Sequence, residues 1–209
     1  MVLKDYAFTA NKQPGGTEQG KSYVLGAAPV IDGTLGGKTE ATEEDVNALV
    51  EQLKAYVDNG ITTIIVTGSN PAMIDVGLWT NTAIGEAIYR LSKEDSYNGK
   101  IDLILPDVTE IFDQEFDGAH ALNSINLPKV TTVGDGAFYD CQYLEELTFV
   151  SVVTAINHNT RAEFHRIGEK VEGCNLVLNA EQVNAATEYQ PNVETKTWWN
   201  TEWKSITLK

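Results

Sequence analysis

A cluster of acidic side chains in this 209-residue chain could take part in acid–base catalysis or bind a metal ion. Asp113, Glu115 and Asp117 stand at alternate positions, where two carboxylates could act as an acid–base pair or begin a calcium loop. The segment lacks the glycine and the terminal bidentate glutamate of a helix-loop-helix calcium site. We expect instead that the three acids lie at the outer corner of a turn, where they are solvated.

Histidines form the second candidate group. His158 and His165, with Glu163 between them, could in principle bind a metal ion, but a separation of seven residues in an irregular segment is not a zinc-ligand spacing. The sequence also lacks G-x-S-x-G, a Walker loop, G-x-G-x-x-G, H-E-x-x-H and C-x-x-C. We therefore expect a non-enzymatic protein without a metal or another cofactor.

Three tryptophans near the end of the chain are the third candidate group. Trp198, Trp199 and Trp203 could stack on sugar rings, which would make the chain a glycan-binding module. A terminal structural unit must also cover its apolar core, and tryptophan buries a large apolar area. We favour the covering role. Glycan binding, which could also involve an inserted segment at 67–100, stays open and requires at least one exposed tryptophan.

A repeat of 22 residues across 101–156 positions most of these groups. Its columns agree in residue type: Leu105, Leu127 and Phe149; Leu103, Ile125 and Leu147; Val108, Val130 and Val152; Ile111 and Val133; Phe116 and Phe138; Ala119 and Cys141; Leu122 and Leu144. Self-similarity at one period is typical of a solenoid, whose units cannot bury their apolar side alone. A run of β-hairpins is the alternative, but hairpins would not require the columns to agree.

The clearest unit, residues 122–143, has the strand segment L-N-S-I-N-L, followed by P-K-V-T-T-V-G and then by A-F-Y-D-C. This unit resembles the BspA-like leucine-rich repeats of bacterial surface proteins. The preceding unit keeps L-P-D-V-T-E-I and Phe116, whereas the third has Val150 in place of proline and one extra residue before Ile156. The Trp-rich end resembles the last unit of the same family, so the resemblance covers about residues 61–209.

The resemblance implies an α+β repeat solenoid, a right-handed leucine-rich-repeat coil with one parallel β-sheet, a helical N-terminal cap and a Trp-rich C-terminal cap. The predicted parts are a flexible lead-in (1–20), an N-terminal cap (21–60) with a helix at 43–58, and a leucine-rich-repeat domain (61–209), regular over 101–156 and irregular over 157–209. Thr42 has the residue type of a helix N-cap. Ile61 to Val66 is β-branched throughout and is predicted to be the first stacked strand.

Charge and hydropathy limit the partners. The net charge of -15, from 30 acidic and 15 basic residues, argues against nucleic acid and against an anionic membrane surface. No run approaches the roughly 20 apolar residues of a membrane helix, and Met1–Asp5 has no apolar stretch of a signal peptide behind it. Together with the resemblance, this predicts an exported protein at the cell surface or outside the cell, with its leader removed.

The two cysteines leave the redox compartment open. Cys141 and Cys174 are expected at similar corners of consecutive turns, close enough for a disulfide if their side chains point towards each other. Unpaired cysteines are common in protein cores. We favour two buried free thiols over a bridge.

Strand alternation defines a candidate binding surface. If Leu103 and Leu105 point inwards, the residues between the buried positions point outwards. The predicted partner-binding residues are Asp102, Ile104, Ser124, Asn126, Glu146 and Thr148. The family is associated with adhesion to host matrix proteins or other cells, so we expect a protein partner on this strip. A ligand-free structural spacer of a larger surface protein is the remaining alternative.

Overall fold

A computed structural model describes residues 28–75, 80–157 and 163–209. The predicted lead-in at 1–20 lies outside the described residues. The helices are α1 (Glu43–Asp58) and α2 (Ala83–Leu91), with short 3-10 helices at Asp95–Tyr97, Ala180–Asn184 and Thr187–Tyr189. The strands are β1 (Val30–Asp32), β2 (Thr63–Thr67), β3 (Met73–Asp75), β4 (Thr80–Thr82), β5 (Ile101–Ile104), β6 (Glu110–Ile111), β7 (Leu122–Leu127), β8 (Thr132–Val133), β9 (Glu146–Phe149), β10 (Ala155–Ile156), β11 (Asn175–Leu178), β12 (Thr197–Trp198), β13 (Thr201–Glu202) and β14 (Ser205–Leu208).

A parallel main sheet organises the fold. Within the described residues it has seven strands in the order β1-β2-β5-β7-β9-β11-β14, which is also their order along the chain. Every neighbouring pair in this sheet is parallel. Parallel neighbours need a crossover rather than a tight turn. The β-hairpin alternative is therefore wrong for the repeats, and a repeat fold agrees with the observed sheet.

The predicted repeat columns become rows of the main sheet. Ile64, Leu103, Ile125, Leu147 and Leu176 are paired from strand to strand, and all five are buried. Each row therefore stacks apolar side chains of similar size between successive units, which removes their apolar surface from water. The alignment at 22 residues is confirmed by this pairing.

The third unit differs from the alignment by one residue. Val153 is fully buried, whereas Val152, which was assigned to that column, is partly exposed. The backbone N–H of Val153 donates to the Gln182 side chain at 2.8 Å, and the Gln182 amide donates back to the Val153 carbonyl at 2.9 Å. Ile156 still pairs with Val133. The extra residue is therefore absorbed between β9 and β10, where no strand pairing fixes the register.

Two features of the sheets differ from the prediction. The short strands β6, β8 and β10 form a second parallel sheet, so the prediction of one parallel sheet was incomplete. Strand β1 pairs with β2 and precedes it, so Ile61 to Val66 does not contain the first strand. Strands of two or three residues are too short to show an alternating pattern in the sequence.

Helix α1 begins and ends where its sequence pattern indicates. Thr42 and Asp45 form a capping box, in which each side chain accepts a hydrogen bond from the backbone N–H of the other. The buried face consists of Val46, Leu49, Val50 and Leu53. Helix α2 follows the β3–β4 hairpin of the inserted segment, and the two helices pack against each other.

Aromatic rings run through the core of successive units. Phe116 stacks on Phe138 with ring centroids 5.7 Å apart, and Phe138 stacks on Phe164 at 5.9 Å. Trp198 and Trp203 contact Phe164 at 5.6 and 5.3 Å and continue the series towards the last strand. Phe164 is 1% exposed and is the buried phenylalanine of the irregular unit.

Candidate functional site

The six predicted partner-binding residues lie together on one face of the main sheet. Asp102, Ser124 and Glu146 pair across β5, β7 and β9 and form one row. Ile104, Asn126 and Thr148 form a second row beside it. All six are partly or fully exposed, whereas the alternating residues of the same strands are buried. We call these two rows the strand face.

The two carboxylates of the strand face differ in their surroundings. Asp102 accepts hydrogen bonds from Thr62 Oγ1 at 3.1 Å, Asn123 Nδ2 at 2.8 Å and Ser124 Oγ at 2.7 Å. Glu146 is exposed and accepts from Thr148 Oγ1 at 3.2 Å. Three donors hold Asp102 in place, whereas Glu146 stays largely in contact with solvent. Glu146 is therefore the carboxylate of this face that a partner can reach most easily.

The strand face is longer than the sequence indicated. The same two rows continue through Thr63, Asn175, Ser205 and Thr207, which are partly or largely exposed, and through Ile65 and Val177, which are buried. Ser205 Oγ donates to Asn175 Oδ1 at 2.8 Å, which ties the last two strands together on this face. These positions were missed because their units depart from the 22-residue spacing. The alternation around the buried Leu176 and Ile206 was the signal that could have found them.

The acidic cluster is arranged differently from the prediction. Glu115 is 3% exposed, and its carboxylate accepts hydrogen bonds from the N–H of Thr82, at 3.2 Å, and from the Thr82 hydroxyl. Asp113 is exposed and accepts from the backbone N–H of Asp135 at 2.7 Å. The prediction that all three acids are solvated is wrong for Glu115, because the inserted segment covers that corner of the turn.

Burial changes the acidity of Glu115. Loss of contact with water raises its pKa to about 7, although the hydrogen bonds from Thr82 act in the opposite direction. Thr82 is the N-cap of α2, and its hydroxyl accepts from the backbone N–H of Gly85. A Cβ atom at Gly85 would overlap the Glu115 carboxylate. The glycine therefore leaves the space in which this carboxylate contacts the start of the helix.

Only one histidine of the candidate metal-binding pair lies within the described residues. His158 lies outside the described residues, and His165 is exposed, with its ring 5.1 Å from that of Tyr139. In the ranges 28–75, 80–157 and 163–209, no group of three or more His, Cys, Asp or Glu side chains could hold a metal ion. Glu163 is buried and accepts from the Trp199 indole N–H at 2.9 Å.

Both cysteines are free and buried, which confirms the preference for unpaired thiols. Cys141 Sγ donates to the Phe116 carbonyl at 3.0 Å. Burial raises the pKa of both thiols. A protonated, buried thiol is a poor nucleophile, so these cysteines serve as small apolar groups of the core.

The tryptophans divide into two classes. Trp198 and Trp203 are 1% and 4% exposed and fill the core, where each indole N–H donates to a backbone carbonyl. Trp199 is partly exposed, and its ring is stacked on Tyr189. Glycan binding through Trp198 or Trp203 is therefore excluded by their burial. Trp199 meets the condition that at least one tryptophan be accessible.

The described helices include none that is long and apolar enough to cross a membrane. A parallel sheet built from successive units, with a largely polar and partly exposed face, agrees with a repeat fold. Residues 98–168, about a third of the chain, match the family model described as the BspA type leucine-rich repeat region, which has six copies. This region is therefore similar to BspA-type leucine-rich repeats.

The family match indicates a protein-interaction or surface module, and leucine-rich repeats are typically non-enzymatic. Comparisons with curated proteins and with solved structures gave no significant match. The comparisons therefore identify neither a specific partner nor the place where the protein acts.

Proposed function

We propose that this chain is a protein-binding adhesion module exported to a bacterial cell surface, and that it binds its partner through the strand face. The observation that carries the proposal is the alignment of Asp102, Ser124 and Glu146 in one row, with Ile104, Asn126 and Thr148 beside it. A regular array of outward side chains on neighbouring paired strands suits recognition of a macromolecule.

The chemistry of the strand face favours a basic partner. Its two charged residues, Asp102 and Glu146, are both acidic, and the whole chain carries a net charge of -15. Charge complementarity speeds association and disfavours partners of like charge. A partner segment with lysine or arginine side chains therefore fits this face, with Glu146 as its first point of contact.

The overall form proposed for the module is a right-handed solenoid with two caps. Helix α1 and the inserted segment with α2 support an N-terminal cap, because they pack together over the first strands. Buried Trp198 and Trp203 support a C-terminal cap. Caps of this kind protect the apolar ends of a stacked array from water and leave the strand face as the large polar surface.

An array of extracellular-matrix and plasma proteins, probed with the purified chain at physiological salt, tests the proposal. We expect a hit whose affinity falls about tenfold or more when Glu146→Lys is combined with Asn126→Arg. Glu51→Lys on α1 is the matched control, since it reverses an exposed charge away from the strand face. Unchanged binding of the double variant would show that the strand face is not the binding site. If no protein on the array bound, a ligand-free spacer would be favoured.

A further inference from the structure

An open groove of about 640 Å³ borders the β12–β13 hairpin, outside the strand face. Trp199 forms part of its lining, together with the polar side chains of Glu188, Gln190, Asn192 and Glu202. The groove belongs to residues 188–202, a segment that the family match at 98–168 does not cover. It is separate from the surface proposed for adhesion, because none of its residues belongs to the main sheet.

Trp199 is held at this groove in an unusual backbone conformation. Trp199 and Asn200 join the two strands of the hairpin with φ of 51° and 56°, as in a type I′ turn. Asparagine and glycine are preferred there, so a bulky residue with positive φ marks a constrained position. The ring stacks on Tyr189 with centroids 5.1 Å apart and an angle of 14°, and Glu163 accepts the indole N–H at 2.9 Å.

The lining defines the chemistry of a ligand. Carboxylates and amides surround the aromatic ring, and among the described residues no lysine, arginine or histidine lines the groove. Carboxylates accept hydrogen bonds from hydroxyl groups, and amides both donate and accept them. Two carboxylates in a lining that contains no basic side chain repel phosphate, sulfate and uronate groups. A ligand with many hydroxyl groups, an apolar ring face and no charge fits all of these features.

We propose that this groove binds a neutral oligosaccharide, with one sugar ring against Trp199 and its hydroxyl groups bonded to Glu188, Gln190 and Glu202. The fixed ring of Trp199 supports this, since an aromatic side chain that is already immobilised loses little conformational entropy on binding. Trp198, which also borders the groove, is buried and acts through its support of the hairpin. The site is independent of the strand face.

The 209-residue chain can be titrated with cellohexaose, laminarihexaose, maltohexaose and N-acetylchitohexaose, with hexagalacturonate as the anionic comparator. Calorimetry and tryptophan fluorescence measure the binding. We expect at least one neutral hexaose to bind at micromolar to millimolar concentration and hexagalacturonate not to bind. The fluorescence change should disappear in Trp199→Phe, which assigns it to Trp199 rather than to Trp79 in the inserted segment.

Two surface variants carry the test, because replacement of Trp199 also removes its contacts with Tyr189 and Glu163. Glu188→Ala and Glu202→Ala should each weaken binding about tenfold, as expected for a lost hydrogen bond to a charged group. Glu194→Ala, exposed in the same segment but outside the groove lining, should leave it unchanged. The proposal is overturned if no neutral hexaose binds, if hexagalacturonate binds more tightly, or if both glutamate variants bind like the parent chain.

A last control separates this site from the adhesion proposal. Glu146→Lys alters the strand face and should not change the affinity for a neutral hexaose. A parallel loss of hexaose binding in Glu146→Lys would place the sugar on the strand face and overturn the groove assignment.

Discussion

Glu115 joins the repeat region to the inserted segment through a buried carboxylate. Both oxygens accept hydrogen bonds from Thr82, the N-cap of α2. Glu110 lines the same small cavity of about 20 Å³ but is exposed to solvent. The charged form of Glu115 has lost its water and gains no cation among the described residues in return, which is why desolvation dominates its pKa.

The stability of the protein should therefore depend on pH through Glu115. Its pKa rises from an ordinary value of 4.5 to about 7 on folding. The folded state binds the extra proton, so the contribution of Glu115 is most favourable below pH 4.5 and is lost as pH rises towards 7. Relative to Glu115→Gln, the parent chain should lose about 3 kcal/mol of unfolding free energy across this window. Urea unfolding at several pH values measures the difference.

The control for this prediction is Glu110→Gln. It neutralises the exposed glutamate that borders the same cavity, and its unfolding free energy should follow that of the parent chain at every pH. Parallel pH profiles for Glu115→Gln and the parent would contradict the prediction, because they would show that Glu115 titrates alike in the folded and unfolded states.

At the residue scale, the sequence predicted side-chain direction where alternation was regular. Ser124 and Asn126 were placed outwards correctly because their neighbours Ile125 and Leu127 follow the repeat. Glu115 was wrongly predicted to be solvated, because the repeat pattern does not indicate that an inserted segment elsewhere in the chain covers this turn. Gly85, which lies against Glu115, precedes it by 30 residues in the sequence, so this contact produces no periodic pattern.

At the scale of elements, the series of stacked rings links successive units. Phe138 is fully buried between Phe116 and Phe164, and each of these rings belongs to a different unit of the repeat. A residue in this position buries its whole ring against two neighbours, which contributes both apolar burial and ring stacking. The middle ring is therefore the one whose loss should affect both adjoining units.

Phe138→Ala should lower the free energy of unfolding by about 3–5 kcal/mol, since it removes a large buried side chain and leaves a cavity. Phe112→Ala is the matched control, because Phe112 is partly exposed and lies outside the ring series. Urea unfolding followed by circular dichroism compares the two variants. Equal losses would mean that the stacked series is no more important than a surface phenylalanine.

Elements were predicted best where several residues cooperate in one pattern. Helix α1 was predicted because Thr42 caps it and four buried residues follow at helical spacing. The extra residue before Ile156 was recognised, but the column was assigned to Val152 rather than Val153, because two adjacent valines give the same apolar signal. Strands β6, β8 and β10 have two residues each, and a pair of residues carries no period.

At the scale of the whole molecule, charge repulsion opposes folding. The chain has 15 more acidic than basic residues. Its ion pairs include Arg90 with Glu43 and Glu86, and Lys38 with Asp45, where the hydrogen bond from Lys38 lowers the pKa of Asp45 to about 2. Exposed ion pairs contribute only about 0–1 kcal/mol each, so the excess of like charge should dominate the response to salt.

The urea midpoint should accordingly rise as NaCl increases from about 0.01 M to about 1 M, since the Debye length falls from about 30 Å to about 3 Å. The control is Glu51→Lys combined with Glu194→Lys. Each reversal adds two units of positive charge, which changes the net charge from -15 to -11. The urea midpoint of this variant should therefore rise less with NaCl than that of the parent chain. A midpoint that falls with salt would show that the ion pairs outweigh the repulsion.

The spacing of the strands also sets a repeat distance for a partner segment that binds across the strand face. Neighbouring strands are about 4.8 Å apart, so Asp102 and Glu146, two strands apart in one row, are separated by about 10 Å. Two turns of an α-helix rise about 11 Å, whereas an extended chain returns to the same side about every 7 Å. The spacing of every second strand therefore matches two turns of an α-helix. In a helix that crosses the strands, residues seven positions apart would each meet every second strand.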